Sequence, residues 1–156
     1  MRIDEKTSIK PFPSDERIAW FEQSYSIKLP QSYIDFLKRY NGSTPITNVL
    51  KFDRQEYVIE RFLCLLDNPK EHLEDGWYDL TSVLTQLDGR LIDDEELIGM
   101  NVIPIAAMFA GDFICLDFRN SVDPEIVIWD HEESEELEPV TTVVASDFEE
   151  FLAMLS

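Results

Sequence analysis

Between Val102 and Val144 the apolar residues arrive in short runs rather than at helical spacing, and this constrains the chain more than any other feature. Val102 to Ala106 (interrupted by Pro104), Phe113 to Phe118, Glu125 to Trp129 and Val140 to Val144 are each only five or six residues long. Turn residues bound them: Gly111-Asp112, Arg119 to Pro124, and an acidic stretch ending at Glu138. Runs of this length, rich in Val, Ile and Phe, fit strands and are too short for helices. Phe113 to Phe118 and Glu125 to Trp129, joined by Arg119 to Pro124, read as a hairpin.

Helical patterns flank this block. Pro13-Ser14 supplies a cap, after which Ile18, Phe21 and Tyr25 recur at helical spacing. Leu29-Pro30 breaks that helix and opens another, with Tyr33, Phe36, Leu37 and Tyr40 on one face. Asn41-Gly42 ends it, because glycine tolerates the left-handed conformation that follows a last helical turn. Asn48 to Phe52 and Tyr57 to Leu66 read as strands, the second stopped by Asp67-Asn68-Pro69. Leu80, Val83, Leu84 and Leu87 return to helical spacing and close at Asp88-Gly89. Ser146-Asp147-Phe148-Glu149 reads as a capping box with Ser146 at the cap. Phe148, Phe151, Leu152 and Leu155 then give the last helix a buried face. Helices at both ends with strands between them predict an α+β fold. The 156 residues fit one domain, residues 1–156, which buries roughly 70% of its unfolded surface without staples. There is no repeat, linker or low-complexity tract.

Charge is distributed unevenly. The net charge is −19, from 13 basic and 32 acidic side chains. Met1 to Arg61 carries ten basic and nine acidic residues. Phe62 to Ser156 carries three basic residues (Lys70, Arg90, Arg119) against twenty-three acidic ones. Direct binding to nucleic acid, which needs a basic footprint, is excluded, as is adhesion to an anionic membrane. No run reaches the roughly 18 apolar residues of a membrane span, and the charged start, Met1 to Lys10, lacks a signal-peptide core, so the expected location is the cytoplasm. Two readings of the acidic part stand side by side: solubility, and a surface that meets a basic partner. Cys64 and Cys115 lie among apolar neighbours and are expected as buried, reduced thiols.

Catalytic signatures are absent. The chain has no G-x-S-x-G, P-loop, G-x-G-x-x-G, H-E-x-x-H, EF-hand loop or C-x-x-C. The one cluster with metal-ligand chemistry is Asp112, Asp117, Asp130 and His131. Neighbours on a strand point to opposite faces, so Asp130 and His131 are expected to diverge rather than chelate one ion. No enzyme, metal or cofactor is expected, and a metal-dependent enzyme built on those four residues is the remote alternative.

Two blocks carry more information. The first is Ile27-Lys28-Leu29-Pro30-Gln31-Ser32-Tyr33-Ile34-Asp35-Phe36-Leu37 followed by Tyr40-Asn41-Gly42. The second is Ile103-Pro104-Ile105-Ala106, then Gly111-Asp112-Phe113-Ile114-Cys115-Leu116-Asp117, then Pro124, Val127 and His131. With the terminal Ala145-Ser146-x-Phe148-x-x-Phe151-Leu152 they resemble the SUKH superfamily, which includes the fungal Smi–Knr cell-wall regulators and many bacterial immunity proteins. The likeness runs from Ile18 to Leu155, and only in general character between Leu50 and Met100. It implies a central, mostly antiparallel twisted sheet flanked by helices and no catalytic activity. For a bacterial member it implies an immunity protein that neutralises a cognate polymorphic toxin, often a nuclease. Pro30, Tyr33, Phe36, Gly111 and Asp117 match as fold-makers rather than as functional residues.

A nuclease carries a basic cleft for phosphates, and carboxylates can compete for it. The partner is therefore expected to be a protein, a basic toxin domain. The expected contacts are Asp93, Asp94, Glu95 and Glu96, and Glu132, Glu133, Glu135, Glu136 and Glu138, with Trp129 or Trp77 as aromatic anchors. The plain alternative for each is a solvated loop. A housekeeping interaction module of the Smi–Knr type would share the fold and differ in partner.

Overall fold

The structure is a computed structural model describing residues 1–156. Ser14 caps the first helix, α1 (Asp15–Tyr25), its hydroxyl accepting from Arg17 N–H at 3.1 Å. Helix α2 (Gln31–Tyr40) begins directly after Pro30 and buries Tyr33, Phe36 and Leu37. Gly42 has φ +68°, and a side chain there would press on Ile9 and Cys64. Asn41 does more than stop the helix. It is fully buried, its amide donates to the carbonyls of Ile9 and Leu65, and its oxygen accepts from Leu65 N–H at 2.7 Å. One side chain thus pins the N-terminal segment to the centre of the fold.

Eight strands follow the chain: β1 (Ile3–Asp4), β2 (Thr44–Pro45), β3 (Val49–Phe52), β4 (Gln55–Phe62), β5 (Val102–Met108), β6 (Phe113–Asp117), β7 (Glu125–Trp129) and β8 (Thr141–Ala145). β3 to β8 form one sheet in sequential order, antiparallel at every pairing. β1 and β2 make a small separate ladder that the sequence reading did not foresee. β6 and β7 pair from Phe113↔Trp129 to Asp117↔Glu125, the expected hairpin. All seven residues of β5 are buried. Since alternate residues face opposite sides, both of its faces are covered, and helix α3 (Leu80–Leu87) packs against it.

Helix α4 (Phe148–Met154) sets Phe148 edge-on to Tyr33 and Phe36, with centroids 5.2 and 5.3 Å away. Phe36 meets Phe62 of β4 at 4.6 Å, so α2, α4 and the sheet share one core of 34 buried residues. The cap of α4 lies one residue later than expected. Asp147, not Ser146, accepts from Glu150 N–H at 2.8 Å, while the Glu150 carboxylate reaches back to the N–H and hydroxyl of Ser146. A carboxylate competes well for a helix N-terminus, which carries partial positive charge.

The two edges of the sheet differ. The outer side of β3 is closed by the C-terminal residues: Val49 and Ser156 exchange backbone hydrogen bonds of 3.0 and 2.9 Å, and Leu155 bridges Leu50. β8 has no neighbour on its outer side. Cys64 and Cys115 are free and buried, as expected. No helix is long and apolar enough to cross a membrane.

Candidate protein-binding surface

Helix α3 starts on Asp79, a fully buried carboxylate that accepts from the N–H groups of Leu66 and Thr81 at 2.8 and 2.9 Å. Beyond its last turn the chain tightens through Asp88–Arg90. Arg90 then ties this turn to the acidic loop after β7. Its Nε donates to the Ser134 carbonyl at 3.2 Å and its terminal nitrogen donates to the His131 carbonyl. The guanidinium sits 5.0 Å from the centre of the Trp129 ring, and the Trp129 indole N–H donates to the Arg90 carbonyl at 3.0 Å. Gly89 contributes a carbonyl that accepts from Leu137 N–H at 2.7 Å.

The loop after β7 organises itself locally. Asp130 Oδ1 accepts from the N–H groups of Glu132 and Glu133 at 2.9 and 3.0 Å. The buried Ser134 hydroxyl accepts from Val140 N–H at 2.8 Å. Glu135 and Glu138 exchange backbone bonds. Backbone groups are satisfied inward, so the carboxylates of Glu132, Glu133, Glu135, Glu136 and Glu138 are left on the outside, all exposed.

Asp93 to Glu96 form an exposed turn rather than a helix. Arg119 anchors its first residue, with 3.7 Å to Asp93, while forking onto Asp117 at 3.0 and 2.9 Å. Hydrogen bonding to Asp117 raises the Arg119 pKa against the opposing cost of burial. Both arginines of this part of the chain are therefore spent on internal contacts. Asp94, Glu95, Glu96, Glu133, Glu135, Glu136 and Glu138 make no ion pair. Unpaired exposed carboxylates of one sign build a field that attracts cationic partners.

Three expectations need correction or refinement. Trp129 is fully buried beneath Arg90 and 6.2 Å from Phe113, so it cannot anchor a partner; both faces of β7 are covered, Ile126 to Trp129 all being buried. Trp77 is 67% exposed, in a turn at Asp75–Tyr78. Asp130 and His131 do not diverge. β7 stops at Trp129, and beyond it strand alternation no longer applies, so ligand atoms of Asp112, Asp130 and His131 lie within 4.8 Å of one another. Asp112 Oδ1 accepts from His131 N–H at 3.0 Å and lies 2.6 Å from its Nδ1, and Gly111 packs under that imidazole. Asp117 stays with Arg119 and does not join them. These oxygens already serve the turn they build.

The roles of Arg90 and Asp79 were missed. A lone arginine after a helix stop, within a strongly acidic region, was the available signal for the first. A concavity of about 670 Å³ lies between the end of α1 and the β6–β7 loop, lined by Ile27, Phe118 and Val122 with Glu22, Lys28 and Asn101. It contains neither histidine nor cysteine.

A six-stranded antiparallel sheet backed by helices, with charge gathered on loops beyond its strands, defines an α+β domain whose surface is its most distinctive chemistry. Residues 15–152 match the SUKH_6 family, described as SMI1-KNR4 cell-wall, and the chain belongs to that family. It is also similar to the SPbeta prophage-derived uncharacterized protein YokK of Bacillus subtilis (strain 168), with 29% identity over 146 residues, 91% of this chain and 74% of that protein.

Proposed function

We propose that the chain is a non-catalytic protein-binding domain, an immunity protein that neutralises a cognate toxin by presenting carboxylates to a basic surface. The observation that carries this reading is the disposition of charge around Arg90 and Arg119. Both cations are held by internal contacts, and Asp94, Glu95, Glu96, Glu133, Glu135, Glu136 and Glu138 face solvent without an ion pair. A nuclease surface shaped for phosphates fits such a field, and electrostatic complementarity would speed encounter and reject acidic competitors.

The test is a pull-down from the native host, eluted with a salt gradient. A basic protein with a nuclease-like domain, released at moderate salt, is the expected result. Recovery of neutral proteins alone would favour a regulatory module instead, the reading that the cell-wall description of the family supports. With a partner in hand, reversing Glu132, Glu133, Glu135 and Glu136 to Lys should slow association while leaving the fold intact. Unchanged association at low salt would remove this loop from the interface.

A further inference from the structure

The open edge of the sheet offers a second mode of recognition. Edge strands are normally blunted by charge, proline or cover, because their unpaired backbone groups template another strand. The β3 edge is covered by Leu155 and Ser156. β8 reads Thr-Thr-Val-Val-Ala, four of its five residues β-branched and none charged; nothing in the chain pairs with its outer side, and its one register shift falls at Val144, past Thr141 and Val143.

The ladder shows which of its groups are free. Asp130 N–H donates to the Val140 carbonyl at 3.0 Å, and Trp129 lies opposite Thr141. Hydrogen-bonded and non-bonded pairs alternate along an antiparallel ladder, so Thr142 bonds inward and Thr141 and Val143 turn their N–H and C=O groups outward. Val143 is 51% exposed, and Val140 and Val122 also stand clear of the core. Beside them runs a groove of about 500 Å³ lined by Asp123, Glu125, Val143, Ala145 and Glu150.

We propose that β8 is a docking edge for an extended segment of a partner protein, one with β-branched residues flanked by lysine or arginine. Backbone bonds to Thr141 and Val143 would supply affinity, and Asp123, Glu125 and Glu150 would select the flanking cations. The same carboxylates, on a chain of net charge −19, oppose a second copy at this edge. The cationic character of the occupant rests on the functional reading above; the free edge does not.

The probe is the peptide acetyl-Lys-Val-Thr-Val-Thr-Lys-amide, added at millimolar concentration to the isotope-labelled full chain while amide exchange is followed by NMR. Thr141 and Val143 should exchange at least threefold more slowly, and the same peptide N-methylated at alternate amides should have no effect. Val143→Lys should abolish the protection without lowering the melting temperature. Val143→Thr, which keeps a β-branched neutral edge, should preserve the protection and so separates loss of docking from loss of fold. Absence of protection at these two amides overturns the edge, whether or not the acidic loops bind cations. Equal protection by a glutamate-flanked peptide overturns the charge selection. Protection that grows with protein concentration and needs no peptide would assign the edge to a second copy and overturn the proposal. If the partner from the salt-gradient pull-down binds without protecting β8, the edge fails while the acidic-surface reading stands.

Discussion

Arg90→Ala should release the second acidic loop while leaving the sheet in place. The side chain makes two charge-assisted hydrogen bonds to carbonyls, of Ser134 and His131, and lies over Trp129. Bonds of that kind contribute about 1.5–3 kcal/mol each, and a guanidinium over an aromatic ring adds about 0.5–1 kcal/mol. Both carbonyls belong to a surface loop and regain water when the arginine is gone, so the net cost settles near 2–3 kcal/mol. Urea unfolding followed by tryptophan fluorescence measures that cost. Native-state amide exchange locates it, since Ser134 and Leu137 amides should speed up well before those of β5. Added salt should restore part of the loss, because neighbouring carboxylates lose their one internal cation and repel over roughly a Debye length. Arg90→Lys should recover less than half, since an ammonium cannot fork to two carbonyls and lie flat on an indole. A loss under about 0.5 kcal/mol with unchanged exchange at Leu137 would refute the view that Arg90 holds the loop after β7 in place.

Other perturbations test the rest of the fold. Phe36→Ala should cost about 3–5 kcal/mol in denaturant unfolding, because the ring is buried against Tyr40, Phe62 and Phe148; under about 1 kcal/mol would mean the core is wrongly placed. Gly99→Ala should destabilise by more than about 2 kcal/mol, since φ is +89° and the new methyl would meet the Tyr25 backbone. Gly89→Ala should cost less, because there the obstacle is the movable Glu136 carboxylate; the reverse order would contradict both assignments. Burial pushes the Cys64 thiol up to about 12, with the Asp79 carboxylate adding to it, and burial raises Cys115 above its usual 9.0 as well. The folded chain then holds protons that the unfolded chain releases, so the thiols' contribution to stability is level below about pH 9 and falls as pH rises from there towards 12. Stability rising over that interval, measured by urea midpoint, would show the sign to be wrong. A chelator should leave the melting temperature unchanged, because the nearest oxygens of Asp112 and Asp130 are already committed to backbone N–H groups; a drop of several degrees would make the Asp112–Asp130–His131 cluster a metal site.

Periodicity located most of the fold. Ser14, Leu29-Pro30 and Asp88-Gly89 mark helix limits through local backbone chemistry, and the short runs after Val102 became strands in the expected order. What escaped depends on contacts between distant segments. Asn41 reads as a helix stop, yet its amide joins Ile9 to Leu65. Ser146 and Asp147 are both good caps, and spacing alone does not say which carboxylate reaches which N–H. Trp129 reads equally well as an anchor or as core, because what covers it is the Arg90 turn, about forty residues away in sequence. The acidic loops were legible as composition. The attachment of the loop after β7 to the Asp88–Arg90 turn was not, because it runs through main-chain carbonyls that no side-chain pattern encodes.

The seal on β3 by Leu155 and Ser156 has a consequence for how the chain is made. The β3–β4 hairpin emerges from the ribosome with both sides bare; β5 covers one about forty residues later, and the segment that covers β3 follows only after about a hundred. At roughly 5–20 residues per second that interval lasts about 5–20 s, long against hairpin formation in microseconds. Throughout it a nascent chain displays a pairing-competent border to its neighbours on the same message. Docking of Phe148 onto Tyr33 and Phe36 delivers the cover, so the final helix acts as a latch that ends this vulnerable period. Variants that weaken the latch should lower soluble yield in the cell more than their equilibrium stability would suggest.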